Sequence, residues 1–215
     1  MKESPSIDQY LISTCLFIVD EFNEKFKDVD KTSLKEVADS GYSEADLIVR
    51  LGYPFRQMAK FNMQGPDKRD IVVDEKDFQI EVKFLRNWKS SGGGNSNTIV
   101  WSELEKKFDW LSSEIEQGKK GKRALVFGWF NAVERLSQII QLGTGSGRFP
   151  DIDKEKIKYF DRYLNSRGNK TKDIFYMYQN AYKEHSINIH GYKGESMSCI
   201  FLGNEKDKFH MAIYY

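Results

Sequence analysis

In the stretch of residues 69–85, an acid at Asp70 and an acid–lysine pair at Glu81 and Lys83 have the residue types and spacing for metal-assisted hydrolysis. Asp70 opens the β-branched run Ile71, Val72, Val73. The polar cluster Asp74, Glu75, Lys76, Asp77 reads as a tight turn, and residues 78–85 alternate as a second strand. Side chains alternate faces along a strand, so Phe78, Ile80, Val82 and Phe84 share one face while Glu81 and Lys83 fall on the other. An acid and an ammonium projecting together from an apolar strand cost desolvation energy unless something pairs with them. If the two strands form a hairpin, Asp70 reaches the same patch. Two carboxylates and a lysine at one spot suit a divalent cation and the water it activates. The same residues also suit a plain cross-strand ion pair on a surface hairpin.

The elements that must hold this patch are legible on both sides of it. Leu11, Cys15, Ile18, Phe22 and Phe26 recur at helical spacing, predicting an amphipathic first helix from Ser6 to near Asp28. Thr32 or Ser33 is the expected cap of a short second helix that Gly41 breaks. Ser43, with Asp46 three positions on, predicts a capped helix carrying Leu47, Ile48 and Leu51 on its apolar stripe. Glu44 shares that face. As an acid in a first turn it also complements the helix dipole. Residues 55–61 are expected to continue as a helical turn or two. Beyond the hairpin, three consecutive glycines at 92–94 mark a loop. Trp101, Leu104, Phe108, Leu111 and Ile115 then form a strong amphipathic helix, and residues 124–130 a buried-type strand.

Asp70, ten intervening residues, then Glu81-Val82-Lys83 resembles the PD-(D/E)xK nuclease superfamily, the restriction-endonuclease-like fold. The order helix, strand, strand, helix, strand over residues 43–130 is also that of the family's core. The resemblance implies that Asp70 and Glu81 bind Mg²⁺ or Mn²⁺ and that Lys83 orients or activates the attacking water. It further implies that a glutamate from a preceding helix completes the site, with Glu44 the candidate by position and Glu21 the other. Asp67, after Pro66, is a reserve for Asp70 at a longer spacing. The fold implied is mixed α/β (α+β): a restriction-endonuclease-like core at about 43–130 whose central mixed sheet is flanked by helices. A helical N-terminal part at 6–40 and a C-terminal helical and β extension at 131–215 complete a single domain, 1–215.

The activity implied is a metal-dependent endonuclease on double-stranded DNA, in which a palindrome-cutting enzyme would be a homodimer. An RNA-cutting, toxin-like nuclease and a non-catalytic nucleic-acid- or protein-binding module on the same core are the alternatives. Arg86 and Lys89 are candidate phosphate contacts and Trp88 a base-stacking residue. Lys119, Lys120, Lys122 and Arg123, in the basic turn 118–123, are candidates for gripping a nucleic-acid backbone, and Arg148 for a single phosphate contact. The net charge of +1 gives no global pull toward nucleic acid, so such binding requires cations concentrated on one face.

The rest of the chain narrows the classes. With 40% hydrophobic and 30% charged residues it is an ordinary globular composition. No lysine-containing phosphate loop is present, and residues 143–148 read as a glycine-rich connector, which excludes an NTP-binding reading. Cys15 and Cys199 are expected to be buried free thiols, and His185, His190 and His210 lack metal-ligand spacing. With no signal-peptide pattern and no apolar run of membrane-spanning length, a cytoplasmic protein is expected. A helix is expected near Val133, Leu136, Ile139 and Ile140, and others at residues 152–164 and 174–182. Short strands at 186–190, 196–202 and 209–215 form a terminal β-meander that could pack on the core sheet, dimerise or read a substrate.

Overall fold

The hairpin expected at residues 70–85 forms, and a sheet grows from it in both directions. The computed structural model describes residues 6–40, 42–62, 69–85, 101–132, 136–144, 147–188 and 196–215. Helices α1 (Ile7–Phe26), α2 (Lys31–Ser40) and α3 (Glu44–Gly52) come first. An antiparallel meander follows, of β1 (Ala59–Phe61), β2 (Ile71–Val73) and β3 (Phe78–Phe84), in which Ile71 faces both Phe61 and Ile80. Helix α4 (Trp101–Glu114) leads into β4 (Arg123–Phe130), which lies parallel to β3 and places Leu125 beside Glu81 and Phe127 beside Lys83.

Two small hairpins, β5 (Gly143–Thr144) with β6 (Asp151–Ile152) and β7 (Leu164–Ser166) with β8 (Ile174–Tyr176), stand apart from the main sheet. The C-terminal strands β9 (Glu184–Asn188), β10 (Ser196–Leu202) and β11 (Phe209–Tyr214) complete it in the order β1-β2-β3-β4-β11-β10-β9. The architecture is therefore mixed α/β, one seven-stranded mixed sheet with helices on its faces. The terminal meander extends the core sheet through β11, which pairs antiparallel with β4.

Each face of the sheet has its own core. Leu11, Ile18 and Phe22 of α1 and Leu47, Ile48 and Leu51 of α3 pack on Ile71, Phe78, Ile80, Val82 and Phe84. Leu104, Phe108 and Leu111 of α4 pack on Leu125, Phe127 and Trp129 across the sheet. Each such side chain contributes about 1.5–3 kcal/mol relative to remaining exposed. All eight residues of β4 are buried, as expected of a central strand covered on both faces. Gly128 of β4 sets how closely α3 approaches. A Cβ there would come within 2.7 Å of the Leu47 side chain.

Several local expectations are corrected. Asp30, rather than Thr32 or Ser33, caps α2, its Oδ1 accepting from the backbone N–H groups of Thr32 (2.8 Å) and Ser33 (3.0 Å). At residues 55–61 only Tyr53–Phe55 is helical, as a single 3₁₀ turn, and Ala59–Phe61 is the edge strand β1. Of the helix expected around residue 136, the described part is the single turn α5 (Leu136–Ile139). The helix expected at 152–164 shrinks to α6 (Lys154–Ile157), and 174–182 holds β8 and a 3₁₀ turn, Tyr178–Asn180. The tyrosines there follow the demands of an aromatic cluster: Tyr176 stacks on Phe201 (6.0 Å between centroids) and accepts a 3.1 Å hydrogen bond from Trp129 Nε1. The Gly143–Thr144 part of the expected connector is a strand. Cys15 and Cys199 are buried free thiols. Among the described residues no helix is long and apolar enough to cross a membrane.

Candidate active site at the open edge of β3

The site arises because β2 is too short for its partner. Its three residues cover β3 only from Phe78 to Ile80, so among the described residues no strand neighbours the edge beyond Ile80 on that side. Backbone N–H groups exposed on a strand edge need acceptors. Asp70, one residue before β2, supplies one: its Oδ2 accepts from the Val82 N–H at 2.7 Å. Glu44 supplies the next, its Oε2 accepting from the Phe84 N–H at 3.3 Å. Glu44 is the first residue of α3, whose start is fixed where Ser43 donates through its N–H and hydroxyl to Asp46 Oδ2, both at 2.8 Å. The backbone of Asp70 is fixed in turn by β1, since the Asn62 N–H donates to its carbonyl at 2.9 Å.

Glu81 and Lys83 complete the patch. Lys83 Nζ lies 2.8 Å from Glu44 Oε1 and 3.8 Å from Glu81 Oε1. Glu81 is only 2% exposed, and three cations meet it. Besides Lys83 these are Lys107 of α4, which pairs with Oε1, and Arg69, whose Nη1 lies 3.1 Å from Oε2. Trp110 of α4 holds Arg69 in place, the guanidinium lying 4.3 Å from its ring centroid. Glu44, Asp70 and Glu81 are thus gathered with Arg69, Lys83 and Lys107, acids and bases in equal number among the described residues.

The electrostatics follow from crowding acids out of water. Burial, then the charges of Glu81 and Glu44, push the Asp70 carboxyl up to about 6, against the opposing effects of the Val82 N–H and of Lys83. Burial alone would lower the Lys83 ammonium, but Glu44, with Asp70 and Glu81 behind it, raises it above its ordinary value. Lys83 therefore stays charged across neutral pH. Among the described residues, no three His, Cys, Asp or Glu side chains are gathered tightly enough to hold a metal ion as they stand.

The four expected core residues Asp70, Glu81, Lys83 and Glu44 are brought together. Glu21 is not among them; it pairs with Arg50 at 2.7 Å. Asp67, Arg86, Trp88, Lys89 and His190 lie outside the described residues. In the basic turn the four cations have partners within the chain, and Lys120 and Lys122 remain exposed. Lys119 (2.5 Å), Lys122 (3.7 Å) and Arg123 (3.0 Å) converge on Asp77, and Lys120 donates to the Ser196 carbonyl at 2.6 Å. Arg123 is buried and also binds Glu114 at 2.6 Å, which removes it as a phosphate contact. Arg148 lies over the Phe149 ring at 5.3 Å. His210 is fully buried, and burial lowers it to about 4.

Arg69, Lys107 and Trp110 carry no expectation from the sequence. A signal existed for Lys107: it lies three residues after Leu104 and four before Leu111, so it interrupts the buried face of α4. A lysine in that position needs an acid to meet it. In comparisons with protein-family models, curated proteins and solved structures, nothing matches the chain.

Proposed function

We propose that the chain is a metal-dependent endonuclease that hydrolyses phosphodiester bonds, with double-stranded DNA as its substrate. The observation that carries this reading is the convergence of Asp70, Glu81, Glu44 and Lys83, from four points of the sequence, on one open strand edge. Carboxylates crowded until one is raised to about 6, with a lysine held charged beside them, are characteristic of a reaction centre. The order α3, β1 to β3, α4, β4 supports the resemblance drawn from the motif.

The donor set fits a hard divalent cation. Glu44, Asp70 and Glu81 offer carboxylate oxygens only, the ligands Mg²⁺ and Mn²⁺ prefer, and the repulsion that raises Asp70 is of the kind a bound cation relieves. When bound, such an ion supplies an acidified water and stabilisation of charge developing at phosphorus. Asp70 and Glu81 are the residues to hold it. Lys83, steadied by Glu44, orients the attacking water and neutralises charge on the phosphoryl oxygens. Asp70 must give up its proton, so activity rises with pH through about 6.

The test is cleavage of plasmid DNA and of total RNA, with Mg²⁺ or EDTA, by wild type and Lys83→Ala. Metal-dependent cutting that Lys83→Ala abolishes is expected, and the polymer that is cut names the substrate. A second reading draws on the three cations already on Glu81: a self-neutralised ion cluster in a non-catalytic binding module. No cutting of either polymer, with no Mg²⁺ bound in calorimetry, would establish that reading instead.

A further inference from the structure

We infer that Lys107 is an internal competitor for the metal: its ammonium occupies Glu81 in the metal-free protein and must withdraw for a divalent cation to bind. This rests on the reading of the site given above. Lys107 reaches Glu81 Oε1 from α4, on the flank opposite Glu44, so the two helices bring opposite charges to the same strand. The other oxygen, Oε2, takes Arg69, which Trp110, one turn along α4 from Lys107, holds by its ring. Both oxygens that would ligate a metal are therefore engaged, and both by groups that α4 carries or positions.

Charge balance says which partner yields. Among the described residues the three acids are matched by three bases, so adding a doubly charged ion leaves an uncompensated excess in a poorly hydrated site unless a cation leaves. Lys83 is tethered by Glu44 as well as by Glu81, and Arg69 is stacked on Trp110. Among the described residues Glu81 is the one ion-pair partner of Lys107, whose side chain is 20% exposed and has a long, flexible stem along which to retract toward water. Lys107 is thus a positioning residue that keeps the metal-free site neutral and sets the metal concentration at which it loads.

The experiment is calorimetric titration of Mn²⁺ and of Mg²⁺ into wild type, Lys107→Met, Lys107→Gln and Lys107→Arg, each first checked for folding by thermal melt. Removing the competing charge is expected to tighten metal binding about tenfold or more in Lys107→Met and Lys107→Gln, while Lys107→Arg stays near wild type. The glutamine variant keeps a polar partner for Glu81 and so reports even where methionine fails to fold. Wild-type binding with equal or weaker affinity in both neutral variants would overturn the competitor role and leave the nuclease reading standing. No binding by any of the four, together with no metal-dependent cutting, would remove the nuclease reading and the competitor role with it.

Discussion

Strand β3 carries two ion clusters along its length, and the two are built on opposite principles. At the start of β3, Asp77 receives Lys119, Lys122 and Arg123, the last shared with Glu114. The Asp77 carboxyl is lowered to about 2, chiefly by hydrogen bonds from Lys119 and Arg123. Four residues along the strand, about 13 Å away, Glu81 and Lys83 belong to a cluster of three buried or half-buried acids in which Asp70 is raised to about 6. A half-exposed acid met by several cations is a fastener that ties the β2–β3 turn to the start of β4. Acids crowded together out of water repel one another even where cations balance them, and that repulsion is what holds Asp70 up. Ion pairs alone therefore do not mark a site; the burial of the acids and their closeness to one another do.

The largest expected effect separates the clusters by activity. Glu81→Gln, which keeps the shape of the side chain but removes its charge, is expected to reduce metal-dependent cleavage roughly 10²–10³-fold. Asp77→Asn is expected to leave the rate close to wild type. Both are read from initial rates on plasmid DNA at saturating Mg²⁺. Comparable losses in two folded variants would erase the functional distinction between the two ends of β3.

Much of the candidate site was legible in the sequence, the Asp77 cluster was not, and the limits have physical causes. The spacing of Asp70, Glu81 and Lys83, the face shared by Phe78, Ile80, Val82 and Phe84, and the Ser43–Asp46 start of α3 are all local periodicities or caps. Local signals survive in a single sequence. What failed depends on partners distant along the chain: Arg123 is buried because Asp77 and Glu114 meet it, and residues 174–182 follow the rings of Trp129 and Phe201 rather than helical spacing. Strand β1 was missed because three residues, largely exposed on a sheet edge, carry almost no period. Lys107 and Arg69 gain meaning only when α4 is laid across β3.

The second effect is on stability and sharpens the contrast through its sign. Asp70 has a folded-state pKa of about 6, above the unfolded value of about 3.9. The native state therefore holds its proton longer, and metal-free wild type loses stability as pH rises between about 4 and about 6. Asp70→Asn cannot ionise, yet its amide oxygen can still accept from the Val82 N–H. The variant is expected to be more stable than wild type by about 1–3 kcal/mol at pH 8, with the gain fading toward pH 4, while cleavage is lost. Urea melts across that range measure it. An Asp70→Asn variant less stable than wild type at pH 8 would show that the carboxylate is satisfied where it stands.

The smallest effect should carry the opposite slope. Asp77 is depressed in the folded state, so its ionised form contributes stability that is present above the unfolded pKa and is lost as pH falls through about 2. Asp77 sits at φ 51°, a left-handed conformation that asparagine also tolerates, so Asp77→Asn changes charge with little backbone cost. A modest fall in Tm is expected at pH 7, narrowing as the pH approaches 2. Because the carboxylate is 40% exposed, added salt should narrow it too. Asp70→Asn and Asp77→Asn would then move Tm in opposite directions at neutral pH and converge on wild type in acid. If both variants instead follow the same pH trend, the two clusters are one kind of structural ion network, and burial of Asp70 no longer distinguishes a reaction centre from a fastener.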